Sequence, residues 1–473
     1  MAITVSSALG IDRASTSSDD VAVGPWSALR QPDGSGSRRA SLVAAVGVLV
    51  LGIAVAITAI TASVRPGGTF GEWAVAVGIV SGLVGTYLCL VLLLMVARVP
   101  FVERTVGQDR LVAYHRRLAP WAVGLIVLHV VALVIGYAET NQTSWWSQLG
   151  DFVLTYPWMM PAAAAFAAFI ILSLSSIRTI RNVLRYETWW VAHTYFYLAV
   201  ALSVGHQLVD GRLFTQAPAL RFAWIALFAV TAIAVLTGRL LLPIWVSFRH
   251  KLRVASCVTE TDGVVSVYFT GRNLDAFKVR GGQFFEWRFL TRQWWWQAHP
   301  YSLSASPDGK MLRITVKNLG DQSASIPMLA PGTRVAVEGP YGVFTTRPDQ
   351  QSHVTCFAAG CGIAPIRGLL DEFPADTQVT LLYRVSGVVT DEVLLRDELE
   401  VVFSTRPAWK LIYLPGSRRD YQFTAEALSR MVPHLADSDV YVCGADELGE
   451  HIETACRQAG TPKHRIHREL FVF

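Results

Sequence analysis

Charged residues are scarce in this chain of 473 residues. They make up 16% of it, and hydrophobic residues make up 52%, whereas an ordinary soluble domain has roughly 25% charged residues. These proportions argue against a wholly soluble protein and exclude a disordered or collagen-like one. The net charge of +5 is too small to indicate a nucleic-acid-binding surface. The length fits about three domains of roughly 150 residues each.

Cysteines are also few and scattered, with six in the whole chain. They have neither the paired spacing of metal sites nor the density of a secreted disulfide framework, so we expect reduced thiols in a cytosolic setting. The first 40 residues lack the basic start and apolar run of a cleavable signal peptide. We interpret residues 1–40 as a disordered cytoplasmic tail because they are rich in Ser, Asp, Gly and Arg.

What the sequence has in abundance is long apolar segments, six of which follow the tail. Each has about the 17 to 25 residues that a transmembrane helix needs. They predict a six-helix transmembrane bundle over residues 41–248. The segments are 42–64, 73–97, 118–137, 159–177, 189–207 and 222–246.

Arginine and lysine are unevenly distributed among the connecting loops. They cluster before the first segment, in the second and fourth loops and after the sixth segment, whereas the alternate loops carry only Arg65, Arg212 and Arg221. Basic residues accumulate on the cytoplasmic side of inserted helices. We therefore predict a multi-pass protein of the cell membrane with both termini in the cytoplasm.

The rest of the chain has the composition of soluble domains. Alternating runs at 264–270 and 312–317, separated by Gly, Pro and Asp, predict an antiparallel β-barrel over residues 249–347. From about residue 352 the pattern changes to strand, glycine-rich turn and helix, as in 354–373. This pattern predicts a parallel, Rossmann-like α/β domain over residues 352–473.

Four histidines lie in or at the edge of the apolar segments, where ionisable residues are costly and indicate function. They are His115 and His129 on the third segment, and His193 and His206 on the fifth. Their spacings of 14 and 13 residues separate the members of each pair by about 21 and 20 Å in a helix. Because both segments run outward, His115 is expected opposite His193, and His129 opposite His206. Two imidazoles at each level could bind one haem iron axially.

The 13-residue spacing needs a local irregularity. In a regular helix it leaves His206 about 140° away from His193, so we expect a kink or overwinding in the fifth segment. The alternative is that each histidine is a solitary polar residue bonded to a neighbouring helix. Four histidines in matched pairs favour bis-histidine haem binding over that alternative.

Two motifs in the predicted barrel are suited to a flavin. The segment His299-Pro300-Tyr301-Ser302 offers an aromatic face for the ring and a hydroxyl near its reactive nitrogen. Further along, Lys317, Gly320 and Ser323 supply a cation, a close backbone approach and a hydroxyl that could hold a pyrophosphate. The second motif also fits an ordinary strand and turn.

Two further motifs end apolar strands of the predicted α/β domain. The first opens a helix, as phosphate-binding turns do, although its proline departs from the common dinucleotide fingerprint. The second is Cys443-Gly444, where a thiol could touch a nicotinamide; by itself it is a weak signal. The residues of the first motif that we assign to a cofactor are Gly360, Cys361, Gly362 and Pro365.

Taken in order, these motifs resemble the NADPH oxidase and ferric reductase superfamily over essentially all of residues 42–473. The resemblance rests on six spans with paired histidines, then HPYS, VKNLGDQS, GCGIAP, a Cys-Gly strand end and a terminal Glu-Leu-Phe. It implies two b-type haems in the membrane and a ferredoxin-reductase-like module for FAD and NAD(P)H in the cytosol. His115 and His193 would bind the inner haem, and His129 and His206 the outer one.

The resemblance also implies roles at the C-terminal end. Glu469 and Phe471 match the family's terminal Glu-x-aromatic, which makes Phe471 the ring stacked on the flavin, with Phe473 as a rival. Ser302, Cys443 and Glu469 would join them at the catalytic centre. Arg384 and Arg418 occupy places where related reductases bind the 2′-phosphate, so NADPH is expected over NADH. Ala445 stands where the family often has proline.

The expected function is transfer of electrons from cytosolic NADPH through FAD and two haems to an acceptor outside. We favour ferric iron as the acceptor, but reduction of dioxygen to superoxide uses the same internal chain, and the predicted outer loops carry no metal-binding cluster. A quinone or a periplasmic redox protein is a further alternative. A haem-free transporter or sensor with a nucleotide-binding domain is the alternative from another class.

Overall fold

The structure is a computed structural model that describes residues 34–64, 67–385, 393–416 and 423–470. The predicted tail lies outside these residues up to position 33. The first helix begins at Gly34, within the range predicted for the tail, because an existing helix extends at little cost. The first helices are α1 (Gly34–Ser63), α2 (Phe70–Val96), α3 (Pro100–Val106), α4 (Gln108–Asn141), α5 (Trp145–Thr155) and α6 (Met159–Ser175).

The helical region continues with shorter elements and ends in one long helix. A π-helix at Thr237–Leu241 joins the last two elements into that helix. The remaining helices are α7 (Arg178–Arg181), α8 (Tyr186–Thr194), α9 (Phe196–Leu202), α10 (Val204–Val209), α11 (Arg212–Gln216), α12 (Pro218–Leu236) and α13 (Leu242–His250).

Four of the described helices are long and apolar enough to cross a membrane. A fifth candidate is α5 with α6, which bend by 118° at their junction. The predicted count of six spans is therefore not confirmed. The fifth predicted span is divided into α8, α9 and α10. The amide of Tyr195 donates to Ala192, three residues back, at 3.0 Å, and that of Ser203 is shared between Val200 and Ala199, three and four residues back, at 3.2 Å each. Such turns are tighter than an α-helix and provide the overwinding that the histidine spacing requires.

Helices α2 and α4 pack closely because glycines line the contact. A Cβ atom on Gly78 would come within 2.7 Å of Leu133, and one on Gly136 within 2.7 Å of the Val75 amide. Small residues let helix backbones approach in this way inside membranes. This packing fixes the face of α4 that carries His115 and His129.

The β-rich domain contains two three-stranded antiparallel sheets in the orders β1-β2-β5 and β4-β3-β6. Isolated bridges at Arg253–Arg334 and Leu303–Ile314 connect them, and a common core that includes Phe269, Phe285 and Trp287 lies between them. A closed barrel is not confirmed. The elements are β1 (Arg253–Thr261), β2 (Val264–Thr270), β3 (Phe284–Phe289), β4 (His299–Ser302), β5 (Met311–Lys317), β6 (Val335–Tyr341) and α14 (Asp321–Ser325).

The α/β domain is built on a five-stranded parallel sheet in the order β11-β10-β7-β8-β9. This confirms the predicted α/β fold. The order reverses between β7 and β10, and open α/β sheets bind ligands at such a switch point. The elements are β7 (His353–Ala359), α15 (Ile363–Leu370), β8 (Gln378–Val385), α16 (Arg396–Ser404), β9 (Lys410–Pro415), α17 (Ala425–Met431), β10 (Asp439–Gly444), α18 (Asp446–Gln458) and β11 (Ile466–Leu470).

An ion network joins the two soluble domains. Glu398 on α16 accepts from Arg313 of β5 at 2.9 Å and lies 2.7 Å from Arg367 of α15. Both arginine side chains are at most 9% exposed, whereas Glu398 is 30% exposed, so the pairs are partly shielded from water. The network holds the carboxyl edge of the parallel sheet next to the β-rich domain.

Candidate functional site

The four histidines form two facing pairs between the helices. The ring centres of His115 and His193 are 6.3 Å apart, and those of His129 and His206 are 6.4 Å apart. A metal ion held between two imidazole nitrogens at about 2.0 Å from each spaces the ring centres by about 6 Å. The structure thus brings together the residues expected opposite each other, at a separation that would suit two imidazole ligands of one metal ion.

The two histidines of α4 are oriented by backbone carbonyls of α2. Nδ1 of His129 lies 2.7 Å from the Gly78 oxygen, and Nδ1 of His115 lies 3.3 Å from the Leu92 oxygen. Because a carbonyl can only accept, Nδ1 carries the proton in each neutral ring and Nε2 keeps its lone pair. Hydrogen bonds of this kind orient histidines that bind a metal ion.

Aromatic and small residues surround the partner histidines. The ring of Trp189 lies 4.8 Å from that of His193, and Phe196 lies 5.0 Å from it on another side. Near His206, the ring of Trp158 covers Gly205 so closely that a Cβ atom there would come within 2.4 Å. A largely apolar shell of this kind restricts water and tunes a bound metal group.

The His299-Pro300-Tyr301-Ser302 segment forms strand β4, paired with β3. Trp287 Nε1 donates to the Tyr301 carbonyl at 2.9 Å, and the Tyr301 hydroxyl donates to Gln322 Oε1 at 3.4 Å. Burial raises the pKa of Tyr301, so its ring stays neutral. Ser302 is buried at the strand end. Gln322, which accepts the hydrogen bond of the Tyr301 hydroxyl, could not be predicted as a site residue because only the fold brings it next to Tyr301.

The predicted pyrophosphate residues lie just beyond β5. Lys317 ends that strand, and the strand contacts the turn Gly360–Gly362, so the pyrophosphate and glycine-turn motifs are neighbours. The Ser323 hydroxyl accepts from the amides of Leu319 and Gly320 at 2.9 and 3.0 Å. Ser323 therefore shapes the turn.

The glycine turn and the Cys-Gly motif meet at the switch point of the parallel sheet. A Cβ atom on Gly362 would lie 2.2 Å from the Cys443 carbonyl, so only glycine permits this contact. Pro365 lies in α15, which is buried directly after the turn. The two motifs thus share one edge of the sheet, as their positions at the ends of apolar strands predicted. They comprise Gly360, Cys361, Gly362, Cys443 and Gly444.

Cys443 itself is 1% exposed. Burial, with smaller contributions from Glu469 and Cys361, raises the pKa of its thiol well above the ordinary value. Glu469 lies beside Cys443 in the pairing of β10 with β11. Phe471 and Phe473 lie outside the described residues.

Arg384 is the residue of β8 that pairs with Ala359 at the same edge. It lines a pocket with Cys443 and Gly444, and within the described residues its Nε atom is buried without a hydrogen-bond partner. A guanidinium so placed suits a phosphate. Arg418 lies outside the described residues.

Comparisons with known proteins agree with this organisation. Three family models match, described as "Ferric reductase like transmembrane component" at residues 81–204, "FAD-binding domain" at 249–345 and "Oxidoreductase NAD-binding domain" at 357–454. The chain thus combines a transmembrane component of the ferric reductase type with an FAD-binding and an NAD-binding domain. These domains in this order are the architecture of the NADPH oxidase and ferric reductase superfamily, to which the chain belongs.

Curated relatives match only part of the chain. A NADH-cytochrome b5 reductase-like protein of Arabidopsis thaliana is 30% identical over 167 residues, which cover 32% of this chain and 50% of the relative. The ferredoxin reductase component of a 3-ketosteroid-9-alpha-monooxygenase of Mycolicibacterium smegmatis is 29% identical over 240 residues, covering 47% and 65%. The chain thus spans between half and two thirds of these relatives.

Among solved structures, the flavohem-like FAD/NAD binding domain of nitric oxide dioxygenase from Vibrio cholerae matches with a TM-score of 0.40 and 21% identity. The match covers 47% of this chain and 98% of that domain.

Proposed function

We propose that this protein is a transmembrane oxidoreductase that passes electrons from cytosolic NADPH through FAD and two b-type haems to an acceptor outside. The observation that carries the proposal is the presence of two facing histidine pairs, with ring centres 6.3 and 6.4 Å apart, in one chain with FAD- and NAD-binding domains. When bound, FAD would turn the two-electron donor into single electrons, and the haems would carry them across the membrane.

The residues present fit two haems by their donor chemistry. His115 and His193 would hold the inner haem, and His129 and His206 the outer one. The Gly78 and Leu92 carbonyls fix the tautomer of the two histidines on α4, so that Nε2 is available to a metal. On α2, Gly82 leaves room for the ring of His129.

The soluble domains supply the binding groups for the donor side. His299, Pro300, Tyr301 and Ser302 would hold the isoalloxazine, with Lys317, Gly320 and Ser323 near the FAD pyrophosphate. Arg384 and Arg418 would bind the 2′-phosphate of NADPH, and Cys443, Gly444 and Glu469 would line the nicotinamide position. Phe471, with Phe473 as its rival, would cover the flavin until nicotinamide enters.

The proposed orientation places the soluble domains in the cytoplasm. The arginine-rich second loop and the end of the last long helix both contact the β-rich domain, through Arg98 and Ser247. Both of these segments were predicted to be cytoplasmic from their charge, so the contact agrees with that side. We propose a lipid bilayer as the partner of the helical region, with an extracytoplasmic redox protein as the alternative final acceptor.

We propose ferric iron as the acceptor, with dioxygen reduced to superoxide as the alternative. Purified enzyme in nanodiscs, supplied with NADPH, would be given a ferric chelate under anaerobic conditions and, separately, oxygen with a superoxide-trapping dye. Rapid ferrous product with slow superoxide formation supports the reductase. The opposite ratio identifies an oxidase.

Histidine variants test the haem assignment against the transporter or sensor alternative. His129→Ala should lose about one of two haems, because one axial ligand of the outer site is gone. His353→Ala, at a soluble-domain histidine, is the matched control and should lose none. Retention of both haems in His129→Ala contradicts the assignment, and absence of haem absorbance in the unaltered protein supports the alternative class.

A further inference from the structure

Two glutamates stand directly opposite each other on the β-rich domain. Glu286 of β3 pairs with Glu338 of β6, and on its other side Glu286 pairs with Pro300 of the flavin motif. Like charges directly across a strand pair destabilise a sheet. The sheet therefore carries an anionic spot beside the flavin motif that needs cations from elsewhere.

The helical region supplies those cations. The guanidinium of Arg98 donates from Nη1 to Glu338 at 2.8 Å and from Nη2 to Glu286 at 2.9 Å, so one planar fork bridges both carboxylates. Arg239 adds a second bond to Glu338 at 3.0 Å. We call these four residues, with two positive and two negative charges, the docking clamp.

The docking clamp is shielded from water. Its side chains are between 11% exposed, at Arg98, and 25% exposed, at Arg239. The Arg98 guanidinium also lies 4.5 Å from the ring centre of Tyr341. Burial acts to raise the pKa of Glu338, but Arg98 and Arg239 outweigh it and lower the pKa below the ordinary value. Arginine suits such a site because its fork is planar and permanently charged.

Backbone features on the helical side bring both arginines to the clamp. Arg98 adopts a left-handed φ of 56°, which is costly for a residue with a side chain. A Cβ atom on Gly238 would lie 2.0 Å from the Ala97 carbonyl, so the last long helix touches the chain just before Arg98. The π-helix at Thr237–Leu241 contains Arg239, and π-bulges are frequent at functional sites.

The clamp also lies between the two redox sites. A cavity between the helices and the β-rich domain is lined by Arg98, Glu338, His299 of the flavin motif and Trp190 of α8. Trp190 follows Trp189, whose ring contacts that of His193. Any shift of the clamp therefore changes the distance from the flavin motif to the inner histidine pair.

We propose that the docking clamp fixes the flavin-binding sheet against the membrane helices, with Arg98 as the positioning residue for electron transfer between them. The proposal rests on the function proposed above. Loss of Arg98 leaves two cross-strand carboxylates buried without their shared cation, which opposes docking. The NADPH site lies in the α/β domain, so hydride transfer to the flavin is unaffected.

Stopped-flow absorbance on the full protein in nanodiscs separates the two steps. In Arg98→Met, flavin reduction by NADPH should keep its rate, while haem reduction should slow by about tenfold or more, because a buried pair has lost one partner. Arg98→Lys should recover part of the rate, since one ammonium cannot bridge both carboxylates. Arg396→Met, which breaks a 2.7 Å ion pair on α16, is the matched control.

Hydrogen exchange measured by mass spectrometry reports whether the β-rich domain is docked on the helices, independently of enzymatic turnover. Amides of β3 and β6 and of residues 97–107 should exchange faster in Arg98→Met than in the control. Unchanged exchange, equal slowing of both steps or an unchanged haem-reduction rate would each overturn the proposal. Absence of haem in the unaltered protein would instead refute the proposed function, and the exchange result would still decide whether the clamp docks the domains.

Discussion

A methyl group added at position 82 of α2 would collide with the imidazole of His129. The Cβ atom would lie 2.3 Å from Nδ1 and 2.7 Å from Cε1 of that ring, so the ring or the helix must move by about 1 Å to restore ordinary contact near 3.5 Å. The same ring is held by a 2.7 Å contact to the Gly78 carbonyl. Metal–ligand distances tolerate about 0.2 Å, so a shift of this size removes His129 as a ligand.

Gly82→Ala should therefore lose about one of two haems, while the pair formed by His115 and His193 keeps the other. Haem per chain would be counted by pyridine haemochrome on protein purified in parallel with Gly124→Ala. Gly124 is the matched control because it also lies on a membrane helix, and an added Cβ atom meets no atom within 4 Å. Two haems with an unchanged spectrum in Gly82→Ala, or equal loss in both variants, would refute the reasoning.

Three other predictions concern the soluble domains. Arg384→Ala should raise the KM for NADPH by about tenfold, because a charge-assisted phosphate contact is lost, and should leave the KM for NADH nearly unchanged. Steady-state kinetics with both donors measure the two KM values. Equal effects on both would contradict the 2′-phosphate assignment. Cys443 should resist alkylation by iodoacetamide at pH 9.0, which is the ordinary pKa of a cysteine thiol, because burial keeps this thiol protonated until the pH rises further. Mass spectrometry that finds Cys443 alkylated in native protein would contradict this. Tyr301→Ala should release FAD on gel filtration, whereas Tyr301→Phe, which loses only the contact with Gln322, should retain it; equal retention in both variants would show that the ring does not support the flavin.

The sequence predicted the elements that depend on local pattern. The alternation and glycine turns of the soluble half correctly indicated a β-rich domain followed by a parallel α/β domain, because side-chain periodicity and turn chemistry are local properties. The spacing of the four histidines predicted which two would face each other, and the required overwinding is found at Tyr195 and Ser203. That local tightening also explains why the fifth predicted span is not one continuous helix.

Contacts between distant segments could not be predicted. Arg98 meets Glu286 and Glu338 across 188 and 240 residues of sequence, and in the sequence it was merely one of several arginines in a basic loop. The bend of 118° between α5 and α6 likewise has no periodic signal, and the predicted count of six spans is not confirmed. The role of Gly82 could not be predicted either, because its contact with His129 exists only when α4 is packed against α2.

The most direct test of the account is the visible spectrum of the purified protein, supplied with FAD under anaerobic conditions, before and after addition of NADPH. We expect about two b-type haems per chain, both reduced by NADPH through the bound flavin. A protein that contains no haem, or whose haems stay oxidised when the flavin is reduced, would contradict the proposed electron path.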